Sequence, residues 1–170
     1  MKRIRYCAAF LGLLAASASA RAQQKGDVGL IFGYPTGVGL QWQATTNTAA
    51  RLDVALGASS INAGSDSWSG TLGVAALFRV AGSDSHTVYL APRIGYSWVT
   101  AQSGTSTTTV ALSGAVGVRR ILTSRFGLFG EAGLMGSYQE SSVSVEAIKL
   151  PGSALRRVST MGGVGVLLIF

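Results

Sequence analysis

The sequence predicts an all-β protein, a closed antiparallel eight-stranded transmembrane β-barrel preceded by a cleavable signal peptide. Three observations lead there. The run Met161-Gly-Gly-Val-Gly-Val-Leu-Leu-Ile-Phe170 alternates, placing Leu168, Val166 and Val164 on one face and Ile169, Leu167, Gly165 and Gly163 on the other, a pattern suited to lipid outside and tight packing inside. Glycine is abundant at 23 residues, proline scarce at 3 and charge low at 12 %, while mean hydropathy is positive. Yet beyond residue 22 no apolar run approaches the roughly 20 residues of a spanning helix. Apolar residues instead recur at every second position, and strands can cross a bilayer only where the sheet closes and satisfies its own backbone.

The N-terminal region carries Lys2, Arg3 and Arg5, then an uncharged stretch from Tyr6 to Ala20, then Ala-x-Ala pairs at Ala18/Ala20 and Ala20/Ala22. This is the layout of a secretory signal covering residues 1–22, with the barrel domain occupying 23–170. Removing it leaves ten basic residues against seven acidic ones, scattered singly. No basic stripe marks a nucleic-acid surface. Cys7, the only cysteine, falls inside the signal, so thiol, disulfide and cysteine-metal chemistry are not expected of the mature chain, nor is a cofactor or metal.

The first strand, Asp27 to Tyr34, directs Val28, Leu30, Phe32 and Tyr34 outward; the second, Gly37 to Gln43, directs Val38, Leu40 and Trp42 outward. Both fall short of the 9–11 residues or so of a tilted spanning strand, so their ends are expected to run further. The third, Ala50 to Ala58, alternates strictly, with Leu52, Val54 and Leu56 out and Arg51, Asp53 and Ala55 in. The fourth, Trp68 to Val80, keeps Arg79 inside, and the fifth, Thr87 to Val99, keeps Tyr89 and Arg93 inside while Pro92 points out. Proline donates nothing to a ladder, so a bulge is expected near it. The sixth, Thr109 to Leu122, and seventh, Phe126 to Gln139, place Arg119 and Glu131 inward, and the eighth runs from about Val158 to Phe170. Leu112 is read as mid-membrane and Arg120 as near a rim.

Two patterns agree with this register. Connections alternate between long and short, apart from a tight first turn at Pro35-Thr36, as in barrels with short periplasmic turns and longer external loops; both termini then lie in the periplasm. Outward aromatic residues also sort by height. Trp42, Phe78, Phe126 and Phe170 collect at periplasmic strand ends, and Tyr34, Trp68, Tyr96, Trp98 and Tyr138 at external ends, forming two interfacial girdles. A soluble lipocalin-type barrel would instead put polar residues where this chain puts Leu, Val, Ile and Phe.

Signal, strands and closing aromatic together resemble the small outer-membrane β-barrels of Gram-negative bacteria, the OmpA/OmpX-like class, over the whole mature chain. The local elements of the likeness are Gly33-Tyr34-Pro35-Thr36-Gly37, Phe129-Gly130-Glu131-Ala132-Gly133 and Phe170. The resemblance implies that the barrel-assembly machinery reads Phe170 with Leu168 and Val166 during insertion. It also implies outer-membrane lipid and lipopolysaccharide as surroundings. The class includes structural proteins, adhesins, resistance factors and lipid A-modifying enzymes, so no external partner follows from it.

Inward Arg51, Asp53, Arg79, Arg93, Arg119 and Glu131 come from five strands and are expected to meet in a lumen narrow enough for side chains to fill it. A structural ion-pair plug is the first reading and a gate in a narrow transport pore the second. Asp84-Ser85-His86 invites a catalytic triad, but three neighbours in a polar turn rarely give nucleophile, base and orienter the needed geometry. The lipid A deacylases of the class carry His-x-Ser on a lipid-facing strand, whereas Thr87-Val88 follow His86; an enzyme is therefore not expected. The run between Glu140 and Arg157 is expected to extend a hairpin to a turn at Pro151-Gly152. The alternative is an extra spanning strand, with the Pro35-Thr36 turn becoming a bulge. The expected role is structural or surface-interacting.

Overall fold

A computed structural model describes residues 24–34, 37–61, 65–83, 85–101, 104–145 and 148–170; the expected signal peptide and the Pro35-Thr36 turn lie outside them. Eight strands follow in chain order: β1 (Val28–Tyr34), β2 (Gly37–Gln43), β3 (Thr48–Ile61), β4 (Ser65–Gly82), β5 (His86–Ala101), β6 (Thr105–Thr123), β7 (Phe126–Val145) and β8 (Ile148–Ile169). Each pairs antiparallel with its sequence neighbour, and β1 pairs with β8 to close the barrel. Closure brings the two ends of the described chain together, where the Phe170 amide donates to the Val28 carbonyl at 2.9 Å.

Side chains divide by parity as period-two strands require. Phe32, Leu40, Leu52, Val74, Ile94, Leu112, Val116 and Leu134 lie exposed on the outer wall. Two apolar clusters fill the interior toward the end that carries the termini. Ala49, Ala75, Leu77, Tyr89, Ala91 and Ala115 make one, and Ile31, Ile121, Phe129, Leu167 and Ile169 the other. The apolar outward residues are therefore not the core; the core is built from the opposite parity of the same strands.

Three expectations about the strands are corrected. β1 and β2 do not lengthen: their last pair is Gly33 with Gly37, and Gly37 adopts φ 73°, a left-handed value that turns the chain there. Since β1 pairs antiparallel with β2 on one side and with β8 on the other, β1 and β2 are two separate strands and not one long one. No bulge sits at Pro92 either. It pairs in register with Gly114 of β6, and the β4 ladder merely lapses opposite Ala91 and Pro92 before resuming in the same register. The bulge lies between Arg79 and Ala81. Finally, β7 and β8 do form a long hairpin, but their pairing continues to Val145 and Ile148, and Pro151 pairs with Ser142 inside β8 rather than standing at the hairpin's end. The described residues form eight strands.

The barrel is uneven in height. β3 to β8 rise well beyond the β1–β2 hairpin, so among the described residues β3 after Val54 and β8 before Val164 pair with no strand on that side. The upper wall is rich in hydroxyls, with Ser59–Ser67 (2.7 Å), Ser106–Ser142 (3.1 Å) and Thr107–Ser141 (3.2 Å) bonded across strands.

Candidate functional site: a charged cluster in the lumen

Four of the six inward charges meet. Strand β3 delivers Arg51 and Asp53 two residues apart, hence on one face, while β5 and β7 bring Arg93 and Glu131 against them. Glu131 is the centre. Its Oε1 lies 2.7 Å from Arg51 Nη1 and accepts the Tyr89 hydroxyl at 2.9 Å, and its Oε2 accepts from Arg93 Nη2 at 3.0 Å. Arg93 Nε lies 3.6 Å from Asp53 Oδ2, closing the group. Two cations thus face two anions, which is the condition for charge to persist in a region with little water. The Arg51 guanidinium also lies over the Phe129 ring, 4.9 Å from its centroid, a contact that favours a desolvated cation.

Glycines make the space. A side chain at Gly117 would coincide with the Tyr89 ring, one at Gly165 with the Phe129 ring, and one at Gly39 with the Asp53 carboxylate. Each is the cross-strand partner of the group it accommodates. Large side chains therefore lie over bare backbone, and this is how a narrow lumen holds a tyrosine, a phenylalanine and four charges. Gly117→Val must push Tyr89 off Glu131; overpacking of this kind costs about 1–3 kcal/mol. Urea unfolding of the variant in lipid vesicles is expected to show that loss, and Gly95→Val, which meets only the Leu72 carbonyl at 3.7 Å, should show much less.

The remaining two charges lie with Thr87 around the Tyr89 side chain. Arg79 turns down to the β4–β5 connection, where its Nη2 donates to the Gly82 carbonyl at 2.8 Å. Arg119 lies beside Arg79, Thr87 and Tyr89 around a cavity of about 10 Å³, roughly the room of one water molecule. Tyr89 and Phe129 were not among the expected site residues. Parity could have found them, since Tyr89 shares a face with Arg93 four residues on and Phe129 with Glu131 two residues on.

The His86 region does not assemble a relay. Its Nδ1 faces both Ser85 Oγ (2.7 Å) and Ser83 Oγ (3.3 Å) in an exposed turn, whereas a triad divides its nucleophile and orienter between the two ring nitrogens. Asp84 lies outside the described residues. Among the described residues no group of His, Cys, Asp or Glu is placed to hold a metal ion.

Nine outward-facing aromatic residues group toward the two ends of their strands. Trp42, Phe78, Phe126 and Phe170 lie toward the end with the termini; Tyr34, Trp68, Tyr96, Trp98 and Tyr138 lie toward the other. Tyr96 and Trp98 stack at 6.0 Å, and the Trp98 ring covers Gly70 on β4. Just beyond the second group the outward residues become Asp66, Thr100, Thr108 and Glu140. At the other end Phe170 is exposed while Leu168 and Val166 are half-buried.

No protein-family model matches the chain, and neither does any curated protein. Among solved structures, the N-terminal β-barrel domain of Pseudomonas aeruginosa OprF is similar at 15 % identity and a TM-score of 0.48, covering 87 % of this chain and 100 % of that one. Acinetobacter baumannii CarO is similar at 16 % identity and a TM-score of 0.43, covering 86 % of this chain and 98 % of that one.

Proposed function

We propose that the protein is an outer-membrane β-barrel with a structural or surface-interaction role, its lumen plugged by the Arg51–Asp53–Arg93–Glu131 cluster. What supports residence in a bilayer is the outer wall. An apolar belt bounded by two aromatic rings, with polar residues starting beyond them, matches hydrocarbon flanked by two headgroup layers. In this orientation both chain ends face the periplasm and the tall hydroxyl-rich strands face outward from the cell, where they meet water and external partners.

The observation that carries the plug is the doubly engaged Glu131, buried between arginines from β3 and β5 and flanked by packed apolar clusters. A conducting path would need water to replace side chains that already fill the section. Planar-bilayer recording of the reconstituted full chain tests this. Only the unmodified membrane baseline is expected, and steady unit currents from the wild-type protein would establish the pore reading instead.

A further inference from the structure

The barrel wall has a notch. Lower down, β1 and β2 span the distance from β8 to β3, but β1 ends at Tyr34, opposite Val164, and the last pair of β2 with β3 is Val38 with Val54. Above that level, among the described residues, β8 and β3 pair with no strand on their facing sides and not with each other. Their edges therefore stand three strand spacings apart, roughly 14 Å, which is the room of two strands. The notch also reaches deep. Val164 pairs with Gly130 and Arg156 with Tyr138, at the upper aromatic level. Between them β8 climbs roughly 20 Å, for a strand tilted about 40°, without a neighbour on this side.

The backbone is what singles the notch out. Alternate residues of a strand turn both N–H and C=O toward the same neighbour. The Phe170 amide donates to Val28 of β1 and the Ile169 amide to Arg125 on the opposite side, so by alternation Val158, Thr160 and Gly162 turn theirs into the notch. On β3 the Thr48 carbonyl accepts from Ala44, next to β2, and the Asn47 carbonyl from Arg79 of β4, so Leu56 and Ala58 do the same from the other edge. Lipid offers these groups nothing to bond with. Natural sheets blunt an open edge with charge, proline or a bulge. Ala55 to Ser59 and Val158 to Gly163 carry neither charge nor proline, and no register shift falls among them. Leu56 and Val158, outward on the two edges, are also the most exposed of the large apolar residues described, at 79 % each.

We propose that the notch receives a β-hairpin of another polypeptide, inserted tip first from the external side. One strand would descend beside β3 and the other return beside β8, antiparallel to both, so that both edges gain a ladder. Its residues would alternate, apolar toward lipid beside Leu56 and Val158, and small or hydroxyl-bearing toward the lumen beside Gly57 and Ser159. The proposal rests on the surface-interaction reading above and gives it a partner and a place. A second copy of this chain is the less suitable occupant. Its own β1–β2 hairpin stands beneath its notch and would meet this one before the edges came within the roughly 4.8 Å of a ladder.

Native mass spectrometry of the full chain in detergent micelles tests it. The probe is a synthetic hairpin of two strands of alternating valine and serine joined by an Asn-Gly turn, and the reference is the same peptide N-methylated on its outward-directed amides, which cannot form a ladder. Wild type is expected to retain the probe and release the reference. Thr160→Pro deletes a donor that faces the notch and leaves the β7 ladder intact, so it should fold and weaken retention about fivefold, the equivalent of one net hydrogen bond of about 1 kcal/mol. Leu56→Pro should do the same from the other edge, and Val116→Ala, on the far side of the barrel, should leave retention unchanged. Folding of each variant is checked by its heat-dependent gel mobility, and the comparison of the two peptides needs no variant. Equal retention of both peptides by wild type, or of neither, would overturn the site. So would folded proline variants that hold the probe as tightly as wild type, or a stable dimer of the chain alone that occludes the notch. Failure of the membrane reading looks different, as a chain that remains soluble without detergent and does not enter vesicles.

Discussion

Glu131→Gln is expected to destabilise the barrel by about 3–5 kcal/mol, the cost of stranding buried charge by removing one partner. The substitution keeps the side-chain shape but leaves Arg51 and Arg93 facing a single anion, Asp53, whose nearest approach is the 3.6 Å contact with Arg93. The Tyr89 hydroxyl would retain an acceptor, so the loss reports charge rather than packing. A companion variant separates the two. Arg51→Met with Glu131→Leu removes one cation and one anion together, leaves the Arg93–Asp53 pair neutral, and should cost less than Glu131→Gln alone, because apolar replacement of a whole buried pair is often nearly neutral. Urea unfolding of both proteins in the same lipid vesicles checks the ordering; equal losses would mean that the carboxylate acts through volume.

Val116→Arg is expected to cost about 2–4 kcal/mol in a bilayer, against about 0–1 kcal/mol for Thr108→Arg on the same strand. The difference comes from depth. On β7 the aromatic rings are marked by Phe126 and Tyr138, and the outward residue midway between them is Ala132, paired with Val116. Leu112, which the sequence pattern put at mid-membrane, lies nearer the second ring, across from Gly136 beside Tyr138. Thr108 lies beyond that ring and faces water in the proposed orientation. Equilibrium unfolding from vesicles measures both, and equal tolerance at the two positions would mean that hydrocarbon does not surround the apolar belt.

Which face each residue takes was legible in the sequence because apolar and polar positions alternate wherever one side of a strand packs inward and the other does not. Strand ends were less legible for the same reason. Where β6 continues through Thr105–Thr109 and β7 through Ser141 and Ser142, both faces are hydroxyl-rich and the contrast that reveals a strand disappears. Pro151-Gly152 looked like the turn of the last hairpin. It sits inside β8 beside a register shift between Glu140 and Ser142, the kind of irregularity at which a strand admits a proline. Pro92 is accommodated differently, by a lapse in the ladder beside β4.

The charged cluster was legible as a set of inward residues but not as a set of contacts. Parity places Arg79 and Arg119 inside as firmly as Arg51 and Glu131, whereas proximity depends on the stagger of neighbouring strands, which is set by pairing across the barrel. Likewise Tyr89 reaches Glu131 only because Gly117 leaves the wall bare between them.

The low β1–β2 hairpin also sets where the cylinder is weakest. Its closing seam joins β1 to β8 only from Gly29 to Tyr34, whereas β7 and β8 are stitched together along nearly their whole length. Opening under heat or force would therefore begin at that seam and peel the hairpin away, leaving the six tall strands from β3 to β8 as the last cooperative unit to come apart.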